Sequence, residues 1–256
     1  MLEVQAVKRA LQILELFTVK RVELGVTDVS RELRLNKSTV ARLMFTLKES
    51  GFLIGFENDG RYRLGWKVSS LGSIFLSSVK FRETALPHMK QLRNNINETI
   101  DLCVLNDDKR VCIERLESNY DVRPIGAVGG QSPLHAGASG KLLLAYMSKD
   151  KQAEFFENNK NLQVLTPNTI TDKEKLLEEI ARILELGYAT SHQERVALVN
   201  AVAAPVRNHR GEVVAVLSVS GLVNSFTDER MEETLIPQAI ETATKISQEL
   251  GYDNGL

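Results

Sequence analysis

Residues 35–52 read LNKSTVARLMFTLKESGF. Val40, Leu43, Met44 and Leu47 recur at helical spacing, and Gly51 stands where a helix would stop. A helix starting near Asn36 or Ser38 would bury that stripe. Its opposite face would carry Ser38, Thr39, Arg42 and Thr46, with Asn36 and Lys37 at its start. Solubility alone does not require hydroxyls and a guanidinium grouped in this way. Such groups reach phosphates and base edges in a DNA major groove, and a helix N-terminus adds N–H donors for a phosphate. The plainer reading is a solvated charged face on a small helical domain, and the flanking sequence decides between the two.

Upstream, Val7, Ala10, Leu11, Leu14 and Phe17 mark one face of an amphipathic helix over about residues 4–19. Thr27 offers an N-cap hydroxyl, with Asp28 in the first turn, and Val29 and Leu33 form a short stripe that "RLN" breaks. Two short helices joined by a tight turn form a helix-turn-helix. Downstream the period changes: "FLIGF" and "RYRLG" alternate around "ENDG", and Asn58-Asp59-Gly60 is a hairpin turn signal. Arg61 and Arg63 fall on one side of the second strand, Tyr62 and Leu64 on the other. The pattern predicts a winged helix-turn-helix. Its candidate DNA contacts are Thr27, Asn36, Lys37, Ser38, Thr39, Arg42, Thr46, Arg61 and Arg63.

Charge agrees. The 256 residues carry a net charge of −1, yet residues 1–65 hold 11 Lys/Arg against 8 Asp/Glu. Within 31–48, Arg31, Arg34, Lys37, Arg42 and Lys48 face the single acid Glu32. A local basic patch on a neutral protein points to a confined polyanion contact. With 43% hydrophobic and 25% charged residues, the composition is that of a globular protein of one or two domains. Apolar runs such as "VVAVLSV" are far too short to span a membrane, and "MLEVQAVKRALQ" lacks the apolar core of a secretory signal, so the expected location is cytoplasmic. Cys103 and Cys112 fit neither a disulfide framework nor a zinc finger and read as small buried residues.

With these elements in place, "VKRALQILELF", "TDVSRELRLNKSTVARLMFTLKESGFL" and "RYRLGWKVSSLG" resemble the N-terminal domain of the IclR family of bacterial transcriptional regulators. "SPLHAGASGKLLLAYM", "LGYATSHQE" and "AVAAPVRNHRGEVVAVLSVSG" look like its effector-binding domain. The resemblance implies a GAF-like effector domain with one small-molecule site, and dimers, often tetramers, formed partly through the DNA-binding end.

The pattern after the wing is consistent. Val68, Leu71, Ile74, Phe75 and Val79 give a linker helix over Gly65–Val79. Beyond it, "ETALPHMKQLRNNI" is helical, "TIDLCVLN" and "RVCIERLES" are strands, a helix runs from Thr171-Asp172 to about Leu186, and "NAVAAPV" and "EVVAVLSVS" are strands. A long helix with a stripe at Leu235, Ala239, Ala243, Ile246 and Leu250 closes the chain from Asp228. The expected class is α+β in two domains: a winged helix-turn-helix over 1–65, a linker helix over 66–80, and an antiparallel sheet flanked by helices over 81–256.

"GASGK", Gly137 to Lys141, fails as a phosphate loop because His135 and Leu142 occupy its end positions. What remains is a small-residue loop entering a helix, suited to a carboxylate. Ser218 and Ser220 lie two apart in an apolar strand, on one face, and buried hydroxyls need partners. The resemblance makes both features the border of an effector pocket, giving His135, Gly137, Ala138, Ser139, Gly140, Ser191, Ala201, Ser218 and Ser220 as candidates. Many relatives carry an acid at the position of Ser191, glycine at Leu198 and cysteine at Ala201. The changes at Ser191 and Ala201 favour an anion larger than a two- or three-carbon keto acid. No nucleophile elbow and no metal-ligand spacing is present, so no catalytic residue, metal or cofactor is expected. The sequence reads as a ligand-responsive regulator, a repressor, that binds double-stranded operator DNA as a homodimer or homotetramer and responds to an organic or sugar acid. The alternative is an enzyme or sensor enzyme tethered to nucleic acid.

Overall fold

The computed structural model describes residues 3–18, 20–55 and 60–253, without the side chains of residues 77 and 78. The chain divides into two compact units, Met1–Ser78 and Val79–Leu256.

In the first unit, α1 (Gln5–Glu15), β1 (Leu24–Gly25), α2 (Val26–Leu33), α3 (Lys37–Glu49), β2 (Leu53–Gly55) and β3 (Arg61–Leu64) follow in order. The three helices share a core of Ile13, Val29, Val40, Met44 and Leu47, and the strands pair antiparallel in the order β1-β3-β2. The winged helix-turn-helix is present, with corrections of detail. α1 ends well before residue 19, because the chain reverses through a bridge between Thr18 and Arg21. Its buried residue is Ile13, whereas Val7 and Leu11, read as part of the core stripe, are more than half exposed. Thr27 is not the cap of α2. Gly25 is, and its N–H donates to the Asp28 carboxylate at 3.0 Å, which closes the first turn from the third residue. Ser30 Oγ donates to the Leu35 carbonyl at 2.6 Å, and Arg34 in the left-handed conformation reverses the chain between α2 and α3. Gly51, at φ +80°, stops α3 as expected. β1 is a third wing strand, and two residues are too few to show a period. The turn residues Asn58 and Asp59 lie outside the described residues. α4 (Trp66–Ser78) occupies the linker stretch and exposes Trp66 and Leu71.

The second unit runs α5 (Lys80–Ile96), β4 (Thr99–Asn106), β5 (Lys109–Leu116), β6 (Gln131–Pro133), α6 (Ala138–Ala145), α7 (Lys149–Asn158), α8 (Lys173–Leu186), β7 (Ala189–His192), β8 (Val199–Arg207), β9 (Val213–Leu222), α9 (Asp228–Arg230) and α10 (Ile236–Glu249). The strands form one antiparallel sheet in the order β6-β5-β4-β9-β8-β7. Helices α5 and α10 pack on one face. On the other, α6 and α8 build a core with Leu142, Leu144, Ile180, Ile183, Ala203 and Val216. This is the α+β architecture expected. The closing helix is not continuous from Asp228: a π-helical turn at Met231–Leu235 separates α9 from α10. Two irregularities mark the backbone around β5. A register shift between Leu102 and Cys103 interrupts the pairing of β4 with β5. Beyond β6, the backbone of β5 is met by the preceding loop, where Gly129 N–H donates to the Cys112 carbonyl and Cys112 N–H to that of Gly130. Among the described residues no helix is long and apolar enough to cross a membrane.

Candidate functional site

Two surfaces collect the predicted residues. On α3, Asn36, Lys37, Ser38, Arg42 and Thr46 are exposed and Thr39 is half-buried, while Val40, Met44 and Leu47 hold the helix to its core. Lys37 and Arg42 have no ion-pair partner among the described residues, whereas Arg31 lies 3.5 Å from Asp28 and Arg21 3.5 Å from Glu32. The charges on α3 are therefore available to an external anion. Thr46 is partly committed: its hydroxyl donates to the Arg42 carbonyl at 3.0 Å, leaving only its lone pairs outward. Thr39, Arg42 and Thr46 also line a groove of about 630 Å³ with Gln5 and Arg9 of α1, which adds a basic group the sequence reading passed over. Thr27, Arg61 and Arg63 are exposed on α2 and the wing.

The second surface is a narrow cleft on the α6 face of the sheet. Gly137, Ala138 and Ser139 at the start of α6 meet Ser191 of β7, Ala201 of β8 and Ser218 and Ser220 of β9. Register explains the convergence: Ser191 lies opposite Ala201, Ala201 opposite Ser220, and Asp101 opposite Ser218. Two predicted members are elsewhere. His135 is buried with Nε2 2.9 Å from the Gln163 carbonyl. Gly140 packs so close to the carbonyls of Pro133 and Leu134 that a Cβ would lie 2.9 Å from each oxygen, so its smallness serves the fold and not the cleft. Lys141 is also spent internally, held by Glu179 at 2.8 Å and Glu194 at 2.6 Å. A roomier cavity of about 400 Å³ lies by Glu98 and Tyr120; Glu98 is paired with Arg230 and Arg123 with Glu117, and the lining charge left without an ion pair among the described residues is the Asp121 carboxylate, which does not favour an organic acid.

The family description "IclR helix-turn-helix domain" matches residues 6–53, and "Bacterial transcriptional regulator IclR C-terminal" matches residues 74–248. The chain belongs to the IclR family of bacterial transcriptional regulators. It is 32% identical over 249 residues to the HTH-type transcriptional regulator XynR of Escherichia coli K12, covering 97% of this chain and 98% of that one. It is 32% identical over 250 residues to the DNA-binding transcriptional repressor YiaJ of the same organism, covering 97% and 88%. An IclR homologue from Microbacterium hydrocarbonoxydans, solved in complex with 4-hydroxybenzoate, matches with a TM-score of 0.84 at 28% identity over 96% of this chain and 99% of that one.

In this IclR-family chain the cleft is more cationic than its sequence reading allowed. Asp101, Arg110 and Arg195 line it as well. Arg110 donates to Cys103 Sγ at 3.2 Å, Ser139 Oγ at 3.3 Å and Ser132 Oγ at 3.4 Å, and its buried Nε has no partner. Arg195 lies against Gly137, within 3.7 Å of where a Cβ would stand. Cys103 and Cys112 are buried, but not in purely apolar surroundings. They face each other across β4 and β5 as free thiols; the hydrogen bond between them lowers the Cys103 pKa, as Arg110 does, and raises that of Cys112, a rise that Arg110 opposes. Among the described residues no group of three or more His, Cys, Asp or Glu is placed to hold a metal ion.

Proposed function

We propose that this IclR-family regulator is a cytoplasmic, non-enzymatic repressor that changes its affinity for double-stranded operator DNA on binding a small organic or sugar acid. In this reading, residues 1–65 bind DNA, 66–80 link, and 81–256 bind the effector, with dimers or tetramers as the active form. Arg42 and Thr39 read bases while Lys37 and Ser38 hold phosphate, because a base-edge contact needs a fork or short hydroxyl on the exposed helix face and a phosphate needs a point charge at its start. One such helix reads too few bases for genomic specificity, which favours a two-fold-related pair.

The observation that carries the effector reading is the convergence of Gly137–Ser139, Ser191, Ser218 and Ser220 on one cleft with two guanidinium groups. Helix N–H groups and guanidinium suit a carboxylate, and the serines suit hydroxyl or carbonyl oxygens. That a related protein was solved with an aromatic acid supports the same class of ligand. A bound acid shifts the DNA-binding equilibrium by its differential affinity for the two states and no more. The test is fluorescence anisotropy on DNA from the upstream region at two salt concentrations, with and without a panel of carboxylic acids, beside a turnover screen. We expect salt-dependent binding weakened by one class of acid and no turnover. DNA affinity that no acid alters would sink the effector reading.

A further inference from the structure

Positive charge in the cleft exceeds what its own residues neutralise. Asp101 is the one carboxylate among its described lining residues, and both its oxygens are taken by Arg115 Nη1, at 2.9 and 3.1 Å. Glu194 is engaged by Lys141 and by the Gly137 N–H. Arg110 and Arg195 remain. Arg110 is only 6% exposed, and its three bonds run to two hydroxyls and a thiol sulfur. The Arg195 guanidinium has no hydrogen-bond or ion-pair partner among the described residues. Burial, and next the charge of Arg110, push the Arg195 pKa down, though a guanidinium stays charged throughout the physiological range. For Arg110, burial is outweighed by the charges of Cys103 and Asp101, which raise its pKa, but for the partly buried Arg195 they do not offset burial and the Arg110 charge, and an anion entering the cleft would supply what is missing.

The two groups approach from different sides. Arg110 projects from β5, while Arg195 comes from the connection between β7 and β8, and strands β4 and β9 separate β5 from β8 in the sheet. The hydroxyls of Ser139, Ser191, Ser218 and Ser220 line the same cleft, that of Ser139 3.3 Å from Arg110. We propose that the cleft binds a hydroxylated dicarboxylate, with one terminal carboxylate held by Arg110, the other by Arg195, and the hydroxyls of its chain by the serines. This rests on reading the cleft as the effector site and narrows the ligand from one carboxylate to two. The free space is about 20 Å³, little more than one water. The two arginine side chains therefore part to admit the ligand and close on its ends.

The test uses full-length protein and ligands that differ only at one end: adipate against hexanoate, glucarate against gluconate, and glycerol 3-phosphate as a single dianionic group. Calorimetry measures affinity, and anisotropy on operator DNA measures the response. The diacid of a pair is expected to bind about 10- to 100-fold more tightly than its monoacid, the range of an added charge-assisted bidentate contact. Arg195→Gln is expected to collapse that ratio towards one. It should also raise the melting temperature of the ligand-free protein, because one of two repelling charges is gone, an effect a merely structural arginine would not give. Equal affinity within both pairs, or a ratio that survives Arg195→Gln, would overturn the proposal while leaving the effector reading intact. So would tightest binding by glycerol 3-phosphate. If no acid of any kind binds or alters DNA affinity, the effector reading itself falls.

Discussion

At α3, two neighbouring cations have different neighbours and so different expected roles. Lys37 stands at the helix start, where the backbone already favours an anion, and Arg42 sits one turn further along on the exposed face. We expect Arg42→Ala to cost about 1–3 kcal/mol of operator binding and to relax base preference. Lys37→Ala should weaken all sequences alike and lower the salt slope by about one phosphate contact. Unchanged operator affinity in Arg42→Ala would show that the groove is met by another face. A second residue-scale prediction concerns Leu198, which has φ +63° in the connection between β7 and β8 and is 61% exposed. A left-handed leucine is strained by about 1–2 kcal/mol, and glycine loses part of that gain through a freer unfolded chain. Leu198→Gly should therefore stabilise the protein by about 0.5–1 kcal/mol in urea unfolding, and a loss of stability would contradict the strain. The cleft's serines were legible because alternation along one strand puts Ser218 and Ser220 on one face. Arg110 was not. Simple alternation along β5 sends Arg110 and Arg115, five residues apart, to opposite faces; the register shift opposite Leu102 and Cys103 lets both reach the face that carries Asp101.

Among the elements, the helices of the first unit and the strands of the second were readable wherever an apolar period ran for two turns or four residues. The failures have local causes. β1 is two residues long, α9 and α10 are separated by a π turn, and the stripe of α1 mixes residues that face the core with residues that do not. The tie between α6 and α8 was also invisible, since nothing local marks Lys141 as a partner of Glu179 and Glu194. It carries a pH prediction. Burial pushes the Glu179 carboxyl up, but hydrogen bonds from Arg182 and Lys141 outweigh it and hold the pKa below the usual 4.5. A carboxyl depressed on folding contributes stability that is complete above its unfolded pKa and is lost as pH falls through the folded value. Wild type should therefore lose more stability than Glu179→Gln between about pH 5 and pH 3. Parallel pH profiles for the two proteins would remove Glu179 from the tie.

For the molecule as a whole, each unit has its own core, and the first also presents apolar side chains to its surroundings. Val7 and Leu11 of α1 and Trp66 and Leu71 of α4 are about half exposed or more, as are Val122, Ile125 and Val164 in the second unit. Such surface is characteristic of an interface. We expect Val7→Glu with Leu11→Glu to shift the protein towards monomer at micromolar concentration in sedimentation velocity, and operator binding to weaken with it. A monomeric wild type binding one chain per site would contradict this. The sheet of the second unit behaves differently towards other copies. Its border strands, β6 and β7, are three and four residues long, and where β5 outruns β6 its backbone is occupied by Gly129 and Gly130. Along Lys109–Cys112 that edge of β5 is therefore closed to a foreign strand. Copies of this protein crowded together would find no open backbone on that stretch from which to build a fibre.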